Sequence, residues 1–530
     1  MTRPDIVLVL ADDMGFSDIG CFGGEIDTPN IDRLAAEGVR LTQFYNTARC
    51  SPSRASLMTG LHPHQVGVGI LNFDDTPDGY PGDLTDACVT VPEALGAAGY
   101  STYLSGKWHL SSDMETPNAS WPTRRGFDRF FGTLEGAGSF YRPRTLMRDE
   151  VNVEEETEQP GWFYTDAISE NAVSFIEKHH QDKADDPFFL YLAYTAPHWP
   201  LHAHEEDVAK YAGRFDAGWD TLREERLARL VGEGIVGDDQ ELAARDPRVP
   251  AWDDNPDQGW DASRMEVYAA QVDRMDQGIG QVLDTLERLG RLDNTLVVFL
   301  SDNGGCAEEL DVDFVTAFVP LQESTREGET VVPGNVPGRE PGGEATYMSY
   351  GRSWAHLSNA PFREYKHWVH EGGVATPLVA RWPRGLRAEA GSRHRQPAQL
   401  GDVLPTLLDA AGATYPASRG GVAVPVAEGG SLLAGLNGAD VEERDLFWEH
   451  EGNAAVRSAG WKLVRKHGRP WELYAIEGDR AEAHDLAADH LDVVADLSTR
   501  YEAWADRCSV IPRERVLDLY ARRGNGLPPE

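Results

Sequence analysis

Four short, unbroken apolar runs, at residues 6–10, 188–193, 296–300 and 378–380, punctuate an otherwise polar and acidic chain. A strand with one wet face alternates in polarity, so a run that is apolar at every position belongs to a strand buried on both faces. Between the runs lie helical patterns at 31–37, 91–98, 166–178 and 265–289. Such alternation dictates an α/β fold, with a large mixed, mostly parallel sheet flanked by helices on both sides. In sheets of this kind ligands collect at the carboxyl ends of the strands. The residues that follow the apolar runs are therefore where chemistry is to be sought.

The 530 residues suffice for one large domain and a smaller one. Composition loosens through the Gly-, Pro- and Ala-rich stretch 414–438, which places a large N-terminal domain at 1–438 and a C-terminal α+β subdomain at 439–530. In the latter, strand-like segments at 445–450, 454–458, 461–466 and 472–475 precede a helical stretch at 491–507, which fits a small antiparallel sheet with a helix. Two long excursions interrupt the large domain, at 211–260 and 308–352, with helical patterns expected at 224–230 and 239–244. They read either as surface insertions or as walls of a site.

A net charge of -38 argues against nucleic acid and anionic membrane surfaces as partners, and it requires any anionic substrate to meet a local cationic pocket. Five scattered cysteines (21, 50, 88, 306 and 508) make no disulfide framework and no metal-ligand spacing. No apolar run approaches the roughly 20 residues needed to span a bilayer, and no export signal is visible, so a cytoplasmic location is expected.

Asp12 and Asp13 follow the first apolar run, and Asp302 and Asn303 follow the third. Adjacent carboxylates repel unless a cation separates their charge, and a hard cation takes oxygen ligands, so the two pairs are candidate ligands for Ca²⁺. Each pair alone also suits an ordinary turn. Lys107 and His109 follow a strand-like stretch at 101–104. On an extended chain they would present a fixed cation and a titratable base to one side. A solvated lysine and a hydrogen-bonded histidine remain the plain alternative. His198 lies in Ala196-Pro197-His198-Trp199-Pro200, where two prolines stiffen the loop. His202 and His204 invite a zinc reading, but no partners complete a tetrahedral set. Lys366 precedes Glu371-Gly372-Gly373, where paired glycines permit close backbone approach. His62, His64, His367 and His370 are read as structural.

The segment Cys50-Ser51-Pro52-Ser53-Arg54-Ala55-Ser56-Leu57-Met58-Thr59-Gly60 reads as a short helix, with Ser51 as N-cap, Pro52 at the first helical position and Gly60 as C-terminal cap. That places Cys50 at a helix N-terminus, which favours an anion, with Arg54 one turn on and able to point back. A buried structural cysteine beside a surface arginine is the other reading.

Taken in order, the strand-end Asp-Asp, Cys-x-Pro-x-Arg, Gly-Lys-x-His, Ala-Pro-His, Asp-Asn and the lysine before Glu-Gly-Gly resemble the fingerprint of the formylglycine-dependent sulfatases. Residues 216–219 and 358–363 look like the bacterial arylsulfatases in particular. The resemblance implies an alkaline-phosphatase-like fold and hydrolysis of small sulfate monoesters to an alcohol or phenol and inorganic sulfate. It implies that a separate formylglycine-generating enzyme oxidises Cys50 to formylglycine, whose hydrate attacks sulfur. It assigns Asp12, Asp13, Asp302, Asn303 and the modified residue 50 to Ca²⁺, and Lys107 and Lys366 to the sulfuryl oxygens. Arg54 would orient residue 50, His198 with Lys366 would assist the leaving group, and His109 would take the proton that lets sulfate depart. A phosphonate monoester or phosphodiester hydrolase of the same superfamily is the nearest alternative, and a non-catalytic metal-binding protein with unmodified Cys50 is the alternative from another class.

Overall fold

The computed structural model describes residues 3–439, 441 and 443–524. The apolar run that opens the chain becomes the central strand, Asp5–Ala11, buried at all seven positions. It pairs in parallel with Phe188–Ala193 on one side and Thr295–Ser301 on the other, with Leu8 opposite Tyr191 and Val298. Side chains alternate across a strand, so Val7, Val9 and Ala11 enter one core while Ile6, Leu8 and Leu10 enter a second. Both faces are dry, which is why the run has no polar member.

The first core is covered by the helices Pro29–Glu37, Tyr164–Lys183 and Gln258–Arg288, and the second by Cys50–Thr59, Val91–Ala97 and Val403–Ala411. Among the described residues the sheet has eleven strands. Beyond Phe188–Ala193 come Ser101–Gly106 and Arg129–Thr133, both parallel, and then two short antiparallel strands. Beyond Thr295–Ser301 comes Ala375–Arg381, antiparallel to both its neighbours, and then Val39–Tyr45. This mixed, mostly parallel sheet with helices on both faces has the expected architecture.

The C-terminal strands Leu446–His450, Asn453–Ser458, Trp461–Arg465 and Glu472–Ala475 form an antiparallel meander covered by the helix Leu491–Cys508, as expected. A further helix, Arg513–Arg523, follows. The meander is tied to the large sheet: Trp448 Nε1 donates to the Asn46 carbonyl at 2.7 Å and Arg480 Nη1 to that of Thr42 at 2.9 Å.

Within the excursions, the helix Gly218–Gly232 takes in the pattern at 224–230. Residues 239–244 are irregular, contrary to expectation. Their buried member, Ala243, is held by its backbone, whose N–H donates to Pro361 and whose carbonyl accepts from Arg223, so burial there needs no helix. The second excursion contains the helix Val312–Phe318 and a two-stranded ladder, Val332–Pro333 with Thr346–Tyr347. Among the described residues no helix is long and apolar enough to cross a membrane.

Candidate active site

Five strands run toward the same edge of the sheet, and each hands the chain over to a group singled out from sequence. Ala11 leads into Asp12, Tyr45 into the turn before Cys50, Gly106 into Lys107, Ala193 into the loop bearing His198, and Ser301 into Asp302. Lys366 differs in coming before its strand, because Ala375–Arg381 is antiparallel and its amino end lies at this edge. Backbone hydrogen bonds lock the strand exits together: Asp12 N–H to Ala196, Lys107 N–H to Ala193, Asp302 N–H to Ala11 and Lys366 N–H to Gly305. The glycine before Lys107 is required, since a Cβ on Gly106, at φ 119°, would stand 1.9 Å from the Ala193 carbonyl oxygen.

The helix Cys50–Thr59 is buried along its whole length. It begins two residues earlier than the sequence suggests: Arg49, extended at φ -152°, is the N-cap, Cys50 is already helical, and Pro52 stands at the third position. Ser53 explains the difference. Its hydroxyl meets the Thr47 hydroxyl at 2.7 Å and accepts from Thr47 N–H at 3.2 Å, closing the preceding turn so that the helix starts before Ser51. Gly60 caps the far end in the left-handed region at φ 69°, as expected. Cys50 thus lies in the first turn, where amide groups lack intrahelical partners. It is close enough to Arg49, Arg54 and Lys366 for a charge at its sulfur to act on all three cations.

Around it the predicted groups form an alternating lattice of charge. Lys107 Nζ donates to Asp12 Oδ2 at 2.5 Å, and Lys366 Nζ to Asp13 Oδ2 at 2.7 Å. Arg54 donates to Asp302 Oδ2 from Nε at 3.2 Å and Nη2 at 2.9 Å, and from Nη1 to the Lys107 carbonyl at 3.1 Å. Asn303 Nδ2 donates to Asp13 Oδ1 at 2.7 Å, and Asp13 N–H to Asp302 Oδ1 at 3.1 Å. His198 donates from Nδ1 to the Trp199 carbonyl at 2.6 Å, which leaves Nε2 as acceptor, 3.3 Å from Lys366 Nζ.

Burial raises the Asp13 carboxyl, but Lys366 and His198 overcome it and carry the group below the carboxylate range. Asp302 goes the other way: burial, with the Asp12 charge beside it, pushes it up to about 7 despite Arg54 and Lys107. Burial, partly opposed by Asp13, holds His198 down at about 3, and burial with the Lys107 charge holds His109 well below its usual value. Both imidazoles are therefore neutral at pH 7.

Three carboxylates here meet three cations, yet the lattice is incomplete. Asp12 Oδ1 and Asn303 Oδ1 are buried without a hydrogen-bond donor. Two donor-less oxygens beside the Asp13 and Asp302 carboxylates make an oxygen-only set, so these residues fit a hard divalent cation. The zinc reading does not fit. His202 spends both ring nitrogens on the backbone, Nδ1 accepting from Phe140 N–H and Nε2 donating to the Thr346 carbonyl, while His204 pairs with Asp166. His367 lies in a buried group with His450 and Glu451. Arg513 and Tyr520 occupy that carboxylate, and Arg49 and Arg513 bear on both imidazoles, a field opposed to another cation.

Sequence reasoning missed a bridge across this edge. Glu308 accepts from Arg49 Nη1 at 2.9 Å and from Trp199 Nε1 at 2.8 Å, joining the loops that carry Cys50, His198 and Asp302. Burial notwithstanding, Arg49 and Lys366 keep this carboxyl below its usual range. No sequence signal marks it: Glu308 stands among Ala307 and Glu309 at the start of an excursion.

The chain is similar to known proteins over nearly its whole length. The family model described as Sulfatase matches residues 4–413. An uncharacterized sulfatase of Schizosaccharomyces pombe is 33% identical over 528 residues, covering 93% of this chain and 92% of that one. An arylsulfatase of Klebsiella aerogenes is 33% identical over 432 residues, covering 77% and 87%. The crystal structure of Ps i-CgsB in complex with k-i-k-neocarrahexaose superposes with a TM-score of 0.66 at 26% identity, over 95% of this chain and 93% of that one. With the family model and these relatives spanning the sheet and every strand exit described above, the chain belongs to the sulfatase family.

Proposed function

We propose that this protein hydrolyses sulfate monoesters in the manner of an arylsulfatase, releasing an alcohol or phenol and inorganic sulfate, once Cys50 has been oxidised to formylglycine by a separate enzyme. Sulfatases generally use a formylglycine and a divalent metal. Here Asp12, Asp13, Asp302 and Asn303 would hold Ca²⁺, which supplies Lewis-acid charge to the sulfuryl oxygens, while the modified residue 50 supplies the nucleophilic oxygen. The observation that carries this reading is the buried charge lattice around Cys50, with its two donor-less oxygens.

The chain's own groups do the remainder. Three carboxylates cancel Arg54, Lys107 and Lys366, so a bound divalent ion leaves the pocket net positive, and a monoanionic sulfate ester is drawn into an otherwise acidic protein. Arg54, held at three points, fixes the direction in which residue 50 faces. Lys107 and Lys366 stabilise charge on the sulfuryl oxygens. Lys366 sits against the free Nε2 of His198, and this pair delivers the proton that the departing oxygen requires. His109, neutral through burial, accepts a proton from the hydroxyl of residue 50, which allows sulfate to leave. The test is to weigh the peptide containing residue 50 from protein made beside a formylglycine-generating enzyme, and to measure sulfate release from 4-nitrophenyl sulfate. An unmodified thiol in fully active protein would refute the proposal.

A further inference from the structure

Glu308 spends its two carboxylate oxygens on two different loops, and each partner is the immediate neighbour of a group assigned to chemistry. Oε1 accepts from Arg49 Nη1 at 2.9 Å, next to Cys50, and Oε2 accepts from Trp199 Nε1 at 2.8 Å, next to His198. The indole so held lies against the imidazole, with ring centroids 4.5 Å apart and planes inclined at 52°. The carbonyl of the same residue takes the His198 Nδ1–H at 2.6 Å. Glu308 therefore reaches His198 through both the ring and the backbone of Trp199.

The carboxylate is itself anchored. Its backbone carbonyl accepts from Ser349 Oγ at 2.6 Å, and Ser349 is fixed in turn by Asn335 Oδ1, which takes its N–H at 2.8 Å, and by Arg264 Nη1, which donates to its carbonyl at 2.9 Å. The loop that carries His198 keeps its backbone course by other means. Gln271 Nε2 donates to the Pro200 carbonyl at 3.2 Å, Leu201 N–H to that of Met348 at 2.8 Å, and Asp12 N–H to that of Ala196 at 3.1 Å. The Arg49–Glu308 pair, with side chains 21% and 28% exposed, adds little to stability. What Glu308 contributes is direction: it sets how the Trp199 ring, and with it the His198 ring, faces the loop of Cys50.

We propose that Glu308 is a positioning residue for sulfuryl transfer, holding the segment of residue 50 and the imidazole of His198 opposite each other through its bonds to Arg49 and Trp199. This rests on the sulfatase reading and adds a residue to it. An in-line displacement puts the attacking and departing oxygens on opposite sides of sulfur, so a group that ties the two carriers together acts on rate far more than on binding.

The experiment uses the full-length protein with residue 50 modified and measures kcat/KM for aryl sulfates from 4-nitrophenyl to phenyl sulfate. Glu308→Leu should lower phenyl sulfate about tenfold more than 4-nitrophenyl sulfate, because the poorer leaving group depends more on a well-aimed proton donor. Trp199→Phe keeps the Arg49–Glu308 pair and an aromatic ring but loses the indole N–H; it should steepen the same dependence, and it carries the test should Glu308→Leu not fold. The double variant should lose no more than either single one, since all three break one link. The indole N–H resonance of Trp199 in isotope-labelled protein, identified by its loss in Trp199→Phe, gives a readout without turnover and should move upfield in Glu308→Leu. Equal losses on all esters, additive losses in the double variant, or an unmoved Trp199 resonance would overturn the inference and leave the sulfatase reading standing. Absence of sulfate release by the wild type from every ester would instead sink that reading, and this role with it.

Discussion

Replacing Lys462 by methionine should destabilise the protein strongly at neutral pH and progressively less in acid. Lys462 is fully buried between two buried carboxylates, 3.0 Å from Glu371 and 2.9 Å from Glu482, and Glu371 also accepts from Arg480 and Tyr45. Burial alone would raise Glu371, but Lys462 first, then Arg480 and Arg457, bring it from 4.5 to about 2. Breaking a buried pair by removing one partner costs about 3–5 kcal/mol.

The folded pKa is depressed, so this stability is present above the unfolded value of 4.5 and is lost as pH falls toward 2. The loss caused by removing Lys462 should therefore be full at neutral pH and shrink as pH falls from 4.5 toward about 2. Urea unfolding of wild type and Lys462→Met at several pH values measures the difference. The double variant Lys462→Met/Glu371→Met removes one charge of each sign and should recover most of the loss. A single-variant loss below about 1 kcal/mol at pH 7, or one that does not shrink in acid, would refute the reasoning. Because Glu371 opens the turn that leads from Lys366 into Ala375–Arg381, the same variant should lower kcat before it unfolds the chain.

Cys50→Ser should still bind a divalent ion but stall after one turnover, because a serine sulfate ester has no second hydroxyl to expel sulfate; a burst of one equivalent in rapid-quench assays is expected, and sustained turnover contradicts it. Asn303→Ala and Asp12→Asn should lower bound Ca²⁺, measured by elemental analysis after dialysis, whereas His202→Ala should leave it unchanged. Excess Ca²⁺ should raise the melting temperature of the wild type in proportion to the logarithm of its concentration, and a flat response would argue against a folded-state cation site.

The parts of the fold that were legible were those in which one physical rule decides. A run apolar at every position has only one place to go, and 6–10 and 296–300 became neighbouring central strands. The groups after those runs met at one edge because parallel strands share a direction. The Cys50 helix starts two residues before the expected position because a tertiary turn, closed by Ser53 on Thr47, outweighs the local preference of Ser51 for an N-cap. Residues 239–244 lost their helical pattern to backbone contacts with Pro361 and Arg223, which no local period encodes. Glu308 was illegible for the same reason: it is an ordinary charged residue at the start of an excursion, and only its bonds to Arg49 and Trp199 give it significance.

The antiparallel strand Ala375–Arg381 resolves an oddity of the motif order. Every other charged group follows a strand, so the chain reaches the site and turns away. Lys366 arrives from the opposite direction, 353 residues after Asp13, and bonds it across the pocket. Its segment is pinned from outside by Glu371 on Lys462 and Arg480, which belong to the C-terminal part of the chain. Lys366, the cation proposed to face the departing oxygen, is thus positioned by contacts with the C-terminal part of the chain, which would serve catalysis without contributing a group to it. A change in its buried charges should accordingly alter leaving-group dependence, steepening the slope of log kcat against leaving-group pKa, while changes at Lys107, on the parallel side of the sheet, should lower all rates alike.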